Sequence, residues 1–328
     1  MMMERMPQSD NVHAICAELG LQPTDQFVGG RKFPMEPTRA EDMPPKPANM
    51  FLVQGADNKY RNLKVGNFNP DEAGQTRRLA EKLHGSQICR VPTVLEEQPD
   101  RYILFEHLHG LPVSHQGDSF WRQKDVLGEV FTALAEVDNR INDAPLNPEL
   151  AQSGLAWANN KINHDWTDPI LCDPDLTYNN RIDDKFIDRV RGYSQRHQVE
   201  LGDEVLAWVD PNGDHMILPF NSPGHEKRIG ITDVDIAVRP RGYMPMRFLA
   251  WSLTKIDDET PMQVWVNRVR KERGLDDKKH DPTFVLSLIG ILHDLTTQEK
   301  KNPRAWEITI AARDLINEMI ERDGQADK

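Results

Sequence analysis

Leu206-Ala-Trp-Val-Asp210-Pro-Asn-Gly-Asp214-His215-Met-Ile-Leu218 is a polar loop between two apolar stretches. Downstream, Ile229-Gly-Ile231-Thr-Asp233-Val-Asp235 is a short apolar strand that ends in an aspartate. Aspartate before proline or glycine is also ordinary turn chemistry, so neither Asp210 nor Asp233 is decisive alone. Together they match the needs of phosphoryl transfer, in which one carboxylate orients the attacking hydroxyl and another holds Mg²⁺ on the phosphates.

Upstream, two apolar stretches predict a β-hairpin. They are Met50-Phe-Leu-Val53 and Tyr60-Arg-Asn-Leu-Lys64-Val65, joined by a connection rich in turn-forming residues. The second strand carries Lys64 at its end. This lysine is either an exposed strand residue or a phosphate ligand.

A helix is predicted shortly after the hairpin. Asn69 would be its N-cap, Pro70 its first helical residue, and Glu72 would lie on the first turn. Glu72 therefore has two interpretations that can coexist: it completes a capping box, or it pairs with Lys64. Protein kinases and their relatives use such a strand lysine and helix glutamate to hold an ammonium on the α- and β-phosphates of ATP.

The order of these parts resembles the aminoglycoside phosphotransferase and choline kinase-like family. A strand, Tyr102-Ile-Leu-Phe105, runs into Glu106-His-Leu-His-Gly110, which is similar to the family's hinge. The helix over 127–137 is similar to its first large helix after the hinge. The resemblance covers roughly residues 25–255.

The resemblance implies an α+β, two-lobed protein kinase-like fold. Residues 1–106 would form a small β-rich N-lobe, and residues 107–328 a larger, mainly helical C-lobe. It also implies an enzyme that binds ATP with Mg²⁺ at the lobe interface and phosphorylates a hydroxyl of a small metabolite or antibiotic.

The resemblance assigns roles to individual residues. Asp210 would orient the acceptor hydroxyl, Lys64 would bind the α- and β-phosphates, and Glu72 would hold Lys64. Adenine would contact backbone groups of the hinge at Glu106 and Leu108. The candidate metal ligands are Asp233, Asp214, His215 and Asp235.

Three departures from the family pattern leave a second function open. His215 stands where the family has the asparagine that binds a second Mg²⁺, and neutral imidazole is a poor ligand for that ion. Trp208 replaces a histidine that braces the loop, and Arg247 stands where an acid is expected. The alternative is a pseudokinase or ATP-binding regulatory module, and a weaker third reading is a protein-modifying kinase.

Composition excludes several other classes. The net charge of -12 argues against nonspecific binding to nucleic acid and is compatible with a cationic acceptor. Cys16, Cys89 and Cys172 show no paired spacing, which favours a reducing, cytoplasmic compartment. No apolar run reaches the length of a membrane span, and no signal-peptide core is present near Met1. The oligomeric state stays open.

The remaining segments carry weaker predictions. Gly29-Gly30 is a plain turn or the start of a phosphate-covering hairpin, and the Pro-rich residues 34–47 would lengthen its tip. Helices are predicted over 121–141, 261–273, 282–295 and 305–320. An aspartate-rich stretch falls where the family builds its substrate pocket, although helix caps explain it equally well: Asp168, Asp173, Asp175, Asp183, Asp184 and Asp188.

Overall fold

The computed structural model describes most of the chain. The described residues are 8–24, 50–66, 71–115, 124–146, 153–177, 182–220, 227–255, 261–297 and 304–326. The predictions for Gly29-Gly30, the Pro-rich segment, Asn69 and Pro70 lie outside these ranges. The chain divides into two compact units, of which the first comprises residues 1–115 and 214–235, and the second residues 116–213 and 236–328.

The first unit contains an antiparallel five-stranded sheet. Its order is β1-β2-β3-β6-β5, and the strands are β1 (Gln22–Pro23), β2 (Met50–Gln54), β3 (Tyr60–Val65), β5 (Val94–Gln98) and β6 (Tyr102–Glu106). The predicted hairpin is confirmed as β2 and β3, with Lys64 opposite Met50 on one side and Ile103 on the other.

A four-stranded sheet completes the first unit. Its order is β4-β10-β9-β7, and the strands are β4 (Cys89–Arg90), β7 (Gly110–Pro112), β9 (Met216–Pro219) and β10 (Ile229–Ile231). The pair β4–β10 is parallel and the other two pairs are antiparallel. In this sheet β9 lies between β7, which follows Glu106, and β10, which leads to Asp233.

Helices cover both faces of the five-stranded sheet. Helix α1 (Gln8–Glu18) packs on the face that carries Leu63 and Leu104. Ala73 of helix α2 (Glu72–Lys82) packs on the opposite face, against Ile103 and its neighbours. Because side chains alternate along a strand, Lys64 lies on the face covered by α2.

The start of α2 corrects one interpretation of Glu72. The helix begins at Glu72 with Asp71 at the N-cap, so Glu72 is at N1 and not at N3 of a capping box. Its carboxylate binds Lys64, and this contact is incompatible with folding back on the N-cap amide.

The second unit is mainly helical. Its described helices are α3 (Lys124–Ile141), α4 (Ser153–Asn160), α5 (Thr167–Cys172), α6 (Pro174–Thr177), α7 (Asp184–Arg196), α8 (Gln198–Leu201), α9 (Tyr243–Ser252), α10 (Met262–Glu272), α11 (Asp281–Thr297) and α12 (Ala305–Ala326). A π-helical turn, Lys161–Asp165, joins α4 to α5, and a 3₁₀ turn, Lys278–His280, precedes α11. An antiparallel pair of strands, β8 (Glu204–Trp208) and β11 (Ile236–Pro240), flanks these helices.

The three predicted C-terminal helices are confirmed as α10, α11 and α12, and α3 confirms the helix after the hinge from Lys124 onward. In the aspartate-rich stretch, the helix-cap interpretation is right for two residues. The Asp183 carboxylate accepts a hydrogen bond from the Phe186 N–H at the start of α7, and the Asp173 carboxylate accepts one from the Asp175 N–H.

Candidate functional site

The Lys64 ammonium in the first unit is buried and binds two carboxylates. Lys64 Nζ donates to both carboxylate oxygens of Glu72, at 2.8 and 2.7 Å, and to Asp233 Oδ1 at 2.6 Å. The Lys64 and Glu72 side chains are only 7% and 4% exposed. Charges so deeply buried need such complete pairing, because desolvation otherwise outweighs their attraction.

Asp233 joins this pair to His215. Its second carboxylate oxygen lies 3.3 Å from His215 Nε2, so both oxygens have partners within the protein. Asp233 also has φ of 53°, a left-handed conformation that is uncommon for residues other than glycine. Backbone strain of this kind is concentrated at functional sites. We call Lys64, Glu72, Asp233 and His215 the lysine cluster.

The pKa values of the cluster follow from burial and charge. Burial alone would lower the pKa of Lys64, but the Asp233 and Glu72 carboxylates outweigh it and raise that pKa. Burial raises the pKa of Glu72. It would also raise the pKa of Asp233, but His215 and Lys64 outweigh it and hold that pKa below its ordinary value. Lys64 and Asp233 are therefore charged near neutral pH.

Backbone groups of the predicted hinge, which begins at Glu106, lie next to the sheet that contains Lys64. The Glu106 side chain is bound by Arg90 and by Thr93, whose N–H donates to Glu106 Oε2 at 3.2 Å. The Glu106 N–H donates to the Thr93 carbonyl at 2.9 Å. Within the described residues, no hydrogen bond uses the backbone N–H or carbonyl of Leu108, whose side chain is 7% exposed.

Gly230 explains why the Leu108 side chain fits there. A Cβ atom at position 230 would lie 2.5 Å from Leu108 Cδ1 and 3.2 Å from Ile217 Cβ. Only glycine allows the leucine to pack directly onto β10. The same strand thus fixes the hinge and leads to Asp233.

The second unit holds Asp210. This half-buried residue follows β8, and its carbonyl accepts a hydrogen bond from the Asn212 N–H at 2.8 Å. Trp208 at the end of β8 is fully buried, pairs with Ile236 of β11, and so anchors the start of the loop by packing.

The two remaining candidate metal ligands, Asp214 and Asp235, are not members of the lysine cluster. Asp214 is exposed and Asp235 is half-buried, both near the lysine cluster in sequence. Across the described residues, no three or more His, Cys, Asp or Glu side chains form a group that could hold a metal ion.

Two pairings in the structure were not predicted from the sequence: Arg90 binds Glu106, and Arg247 binds Asp294 at 2.8 Å. Neither pairing follows from local spacing. The one available signal for the second was Gly290 in the middle of α11, because an isolated glycine inside a helix often marks a close approach.

Solved structures of small-molecule kinases share this fold. A microcompartment-associated aminopropanol kinase has a TM-score of 0.57 at 13% identity, over 84% of this chain and 90% of that chain. A thermostable mutant of an aminoglycoside phosphotransferase, in ternary complex with ADP and hygromycin B, has a TM-score of 0.51 at 12% identity, over 94% and 97% of the two chains.

No family model and no curated protein sequence matches the chain. The structural likeness nevertheless confirms the predicted protein kinase-like fold, with a β-sheet region toward the N-terminus and a mainly helical C-terminal part. Among the described helices, none is long and apolar enough to cross a membrane. Cys16, Cys89 and Cys172 are free cysteines, of which the first two are buried and the third is exposed.

Proposed function

We propose that this protein transfers the γ-phosphoryl group of ATP to a hydroxyl of a small molecule. The observation that carries the proposal is the buried Lys64 ammonium, bound at once to Glu72 and to the strained Asp233. Phosphoryl transfer depends on positioning and charge stabilisation more than on covalent help from the protein. Lys64 would bind the α- and β-phosphates, and Glu72 would hold Lys64 in place.

The hinge supports nucleotide binding. Adenine would take its hydrogen bonds from backbone groups at Glu106 and Leu108, because the Glu106 side chain is already bound by Arg90 and Thr93. The backbone of Leu108 is the best candidate, since it has no hydrogen bond within the described residues and its leucine side chain is buried.

Asp233 is the residue that would hold Mg²⁺, with Asp214 or Asp235 as its helper. Its ionised carboxylate suits a hard cation, and one protein carboxylate is sufficient when phosphates supply other ligands. Bound Mg²⁺ would neutralise charge on the phosphates. We assign His215 the role of orienting Asp233 from 3.3 Å, because imidazole suits Mg²⁺ poorly.

Asp210 would orient the acceptor hydroxyl. A carboxylate in this role stabilises the transition state more than it stabilises bound nucleotide. Asp210→Asn should therefore leave ATP affinity nearly unchanged and lower turnover by roughly 10²-fold or more.

The free thiols of Cys16 and Cys89 fit a reducing compartment, and we expect the protein to act in the cytoplasm.

Thermal unfolding with and without ATP and Mg²⁺ tests the nucleotide site. A ligand at a hundredfold excess over its Kd stabilises the native state by roughly 2.7 kcal/mol. Lys64→Ala should remove most of that shift, whereas Lys59→Ala, at an exposed lysine of the hairpin turn, should keep it. The absence of a shift in the unmodified protein at millimolar nucleotide would refute the proposal.

A regulatory ATP-binding module is the second candidate, favoured by the contact between His215 and Asp233. ATP consumption should be measured with a panel of sugars, amino alcohols and aminoglycosides, with Asp210→Asn as the blank. Turnover above the blank supports the kinase. Nucleotide binding without turnover for any acceptor supports the regulatory module, and His215→Asn would then be the first change to test for restored ATPase activity.

A further inference from the structure

Four aromatic side chains form a cluster in the second unit, in which Tyr243 is buried and the other three are half-buried. Trp157 meets Trp166 and Tyr243 edge to face, with ring centroids 5.5 and 5.6 Å apart. The His293 ring lies 6.3 Å from Trp166. We call these residues the aromatic cluster. The π-helical turn Lys161–Asp165 separates the two tryptophans in sequence, and π-helical turns occur frequently at functional sites.

The cluster's ring faces already carry cations of the chain itself. The Arg239 guanidinium lies 3.9 Å from the centroid of Trp157 and 6.0 Å from that of Tyr243. The Lys161 ammonium lies 5.7 Å from the centroid of Trp166. An ammonium ligand that sought these faces would meet like charge and would have to displace a well-placed guanidinium.

Arg247 adds a second guanidinium beside the cluster. Its Nη2 donates to Asp294 at 2.8 Å, while its buried Nη1 has no hydrogen-bond partner within the described residues. The helix backbone approaches closely here, because a Cβ at Gly290 would lie 2.9 Å from Arg247 Nη1 and 3.2 Å from the Trp166 ring. A buried donor without a partner is costly and requires an explanation, of which a missing ligand is one.

Asp210 lies within electrostatic range of these groups. Burial alone would lower the pKa of Arg247, but Tyr243, Asp294 and Asp210 outweigh it and raise that pKa. The negative charge of Asp210 also contributes to the raised pKa of Tyr243, whose main cause is burial. The charge of the residue that we propose to orient the acceptor therefore acts on Tyr243 of the aromatic cluster and on Arg247.

We propose that the acceptor carries an oxyanion, a carboxylate or a phosphate ester, near its hydroxyl, and that Arg239 and Arg247 bind this group. The proposal rests on the proposed kinase function and names its substrate class. It replaces the cationic acceptor with which the net charge is compatible, because cations of the chain itself already lie over the rings. Guanidinium is the side chain best matched to the geometry of carboxylates and phosphates.

The test compares acceptors that share a skeleton and differ in charge. One series is glycerol, glycerate, glycerol 3-phosphate and 3-aminopropane-1,2-diol, and another is glucose, glucuronate, glucose 6-phosphate and glucosamine. Calorimetric titration in the presence of ADP and Mg²⁺ measures affinity. In at least one series the anion should bind about tenfold or more tightly than the amine, as expected for a charge-assisted hydrogen bond. The carboxylate and phosphate arms distinguish the two oxyanions.

Variants assign the preference to the arginines. Arg239→Met and Arg247→Met should each reduce the ratio of anion to amine affinity by about tenfold, while Arg247→Lys should retain part of it. Arg189→Met is the matched control, because Arg189 is an exposed arginine that lies 5.9 Å from the Phe186 ring. A retained thermal shift with ATP and Mg²⁺ shows that each variant is folded and that the nucleotide site is intact.

Two results would overturn the proposal: tighter binding of the amine in both series, or an anion preference that survives in both methionine variants. These failures are distinct from failure of the proposed function. If the unmodified protein shows no thermal shift with ATP and Mg²⁺, the proposed kinase function is wrong. If that shift is present and the amines still bind more tightly, only the oxyanion inference is wrong.

Discussion

The lysine cluster of the first unit and the aromatic cluster of the second stabilise positive charge by different means. Lys64 is 7% exposed and is neutralised by two carboxylates at hydrogen-bond distance. Arg239 lies on a tryptophan face, and within the described part of the chain Arg247 has a carboxylate partner on only one of its terminal nitrogens. The first arrangement holds one charge in a fixed position, as the proposed phosphate site requires. The second leaves a hydrogen-bond donor for the oxyanion that we propose the acceptor carries.

The largest effect should come from Lys64→Met, which leaves the Glu72 carboxylate buried without its cation. Breaking such a pair typically costs about 3–5 kcal/mol, and urea unfolding at neutral pH measures the loss in free energy of unfolding. Adding Glu72→Gln to Lys64→Met should recover much of it, since the only carboxylate that then lacks the ammonium is Asp233, which is more exposed and keeps His215. Lys59→Met is the control at an exposed lysine. A loss under about 1 kcal/mol would make the pair equivalent to a surface salt bridge and remove the contrast.

This contrast also explains what the sequence could predict. Lys64 and Glu72 are eight residues apart, on a hairpin strand and the helix that follows it, so period and turn chemistry are enough to place both. Asp233 is recognisable because it ends an apolar strand. The helix start was misjudged because the Lys64 contact, which is not local, determines the orientation of Glu72.

The aromatic cluster could not be predicted in the same way. Arg239 reaches Trp157 across 82 positions of sequence, and Arg247 reaches Asp294 across 47. Neither pair has a recognisable spacing, because tertiary packing brings together a strand and a helix in the first pair and two helices in the second. The sequence shows that Arg247 stands where the family has an acid. Its partner lies on α11, so the sequence alone could not reveal the pairing or its role.

Gly230→Ala tests whether the proposed adenine site at Leu108 is as rigid as the lysine cluster implies. The added methyl would overlap Leu108 Cδ1 at 2.5 Å, and overpacking of this kind typically costs about 1–3 kcal/mol. We also expect weaker ATP binding, because Leu108 carries the proposed adenine contact. Leu108→Ala combined with Gly230→Ala should relieve the overlap, so that the double-mutant cycle shows coupling. Additive losses would mean that the hinge yields easily.

His107 offers a pH test of the same region. Burial, with help from His109, lowers the pKa of His107 to about 4, and its Nδ1 lies 3.1 Å from the Asn62 side-chain oxygen. The unfolded chain, with an ordinary histidine, therefore binds more protons than the native state between about pH 6.5 and 4. Stability should fall as pH drops through this window and level off below it.

The slope that His107 adds should disappear in His107→Gln. We expect that contribution to be on the order of 1–2 kcal/mol, because the residue is only partly buried. The measurement is urea unfolding at several pH values from 7 to 4, with His84→Gln at an exposed position as the control. An unchanged slope in His107→Gln would show that the imidazole is protonated in the native protein as readily as in the unfolded chain.

The smallest expected effect concerns the aromatic cluster. A methyl group at Gly290 would press on Arg247 Nη1 at 2.9 Å and on the Trp166 ring at 3.2 and 3.3 Å. Alanine favours a helix interior by up to about 1 kcal/mol over glycine, so Gly290→Ala should be neutral or mildly destabilising where an unhindered site would gain stability. Gly192→Ala in α7 is the matched control, since its Cβ would meet only Arg196 Nη1 at an ordinary 3.8 Å. Thermal unfolding compares the two variants. If Gly290→Ala gains as much thermal stability as Gly192→Ala, the Arg247 guanidinium can move aside, and the aromatic cluster is more adaptable than its packing indicates. If it gains nothing and also weakens anion binding, then Arg247 is held against α11 in the position that the acceptor needs.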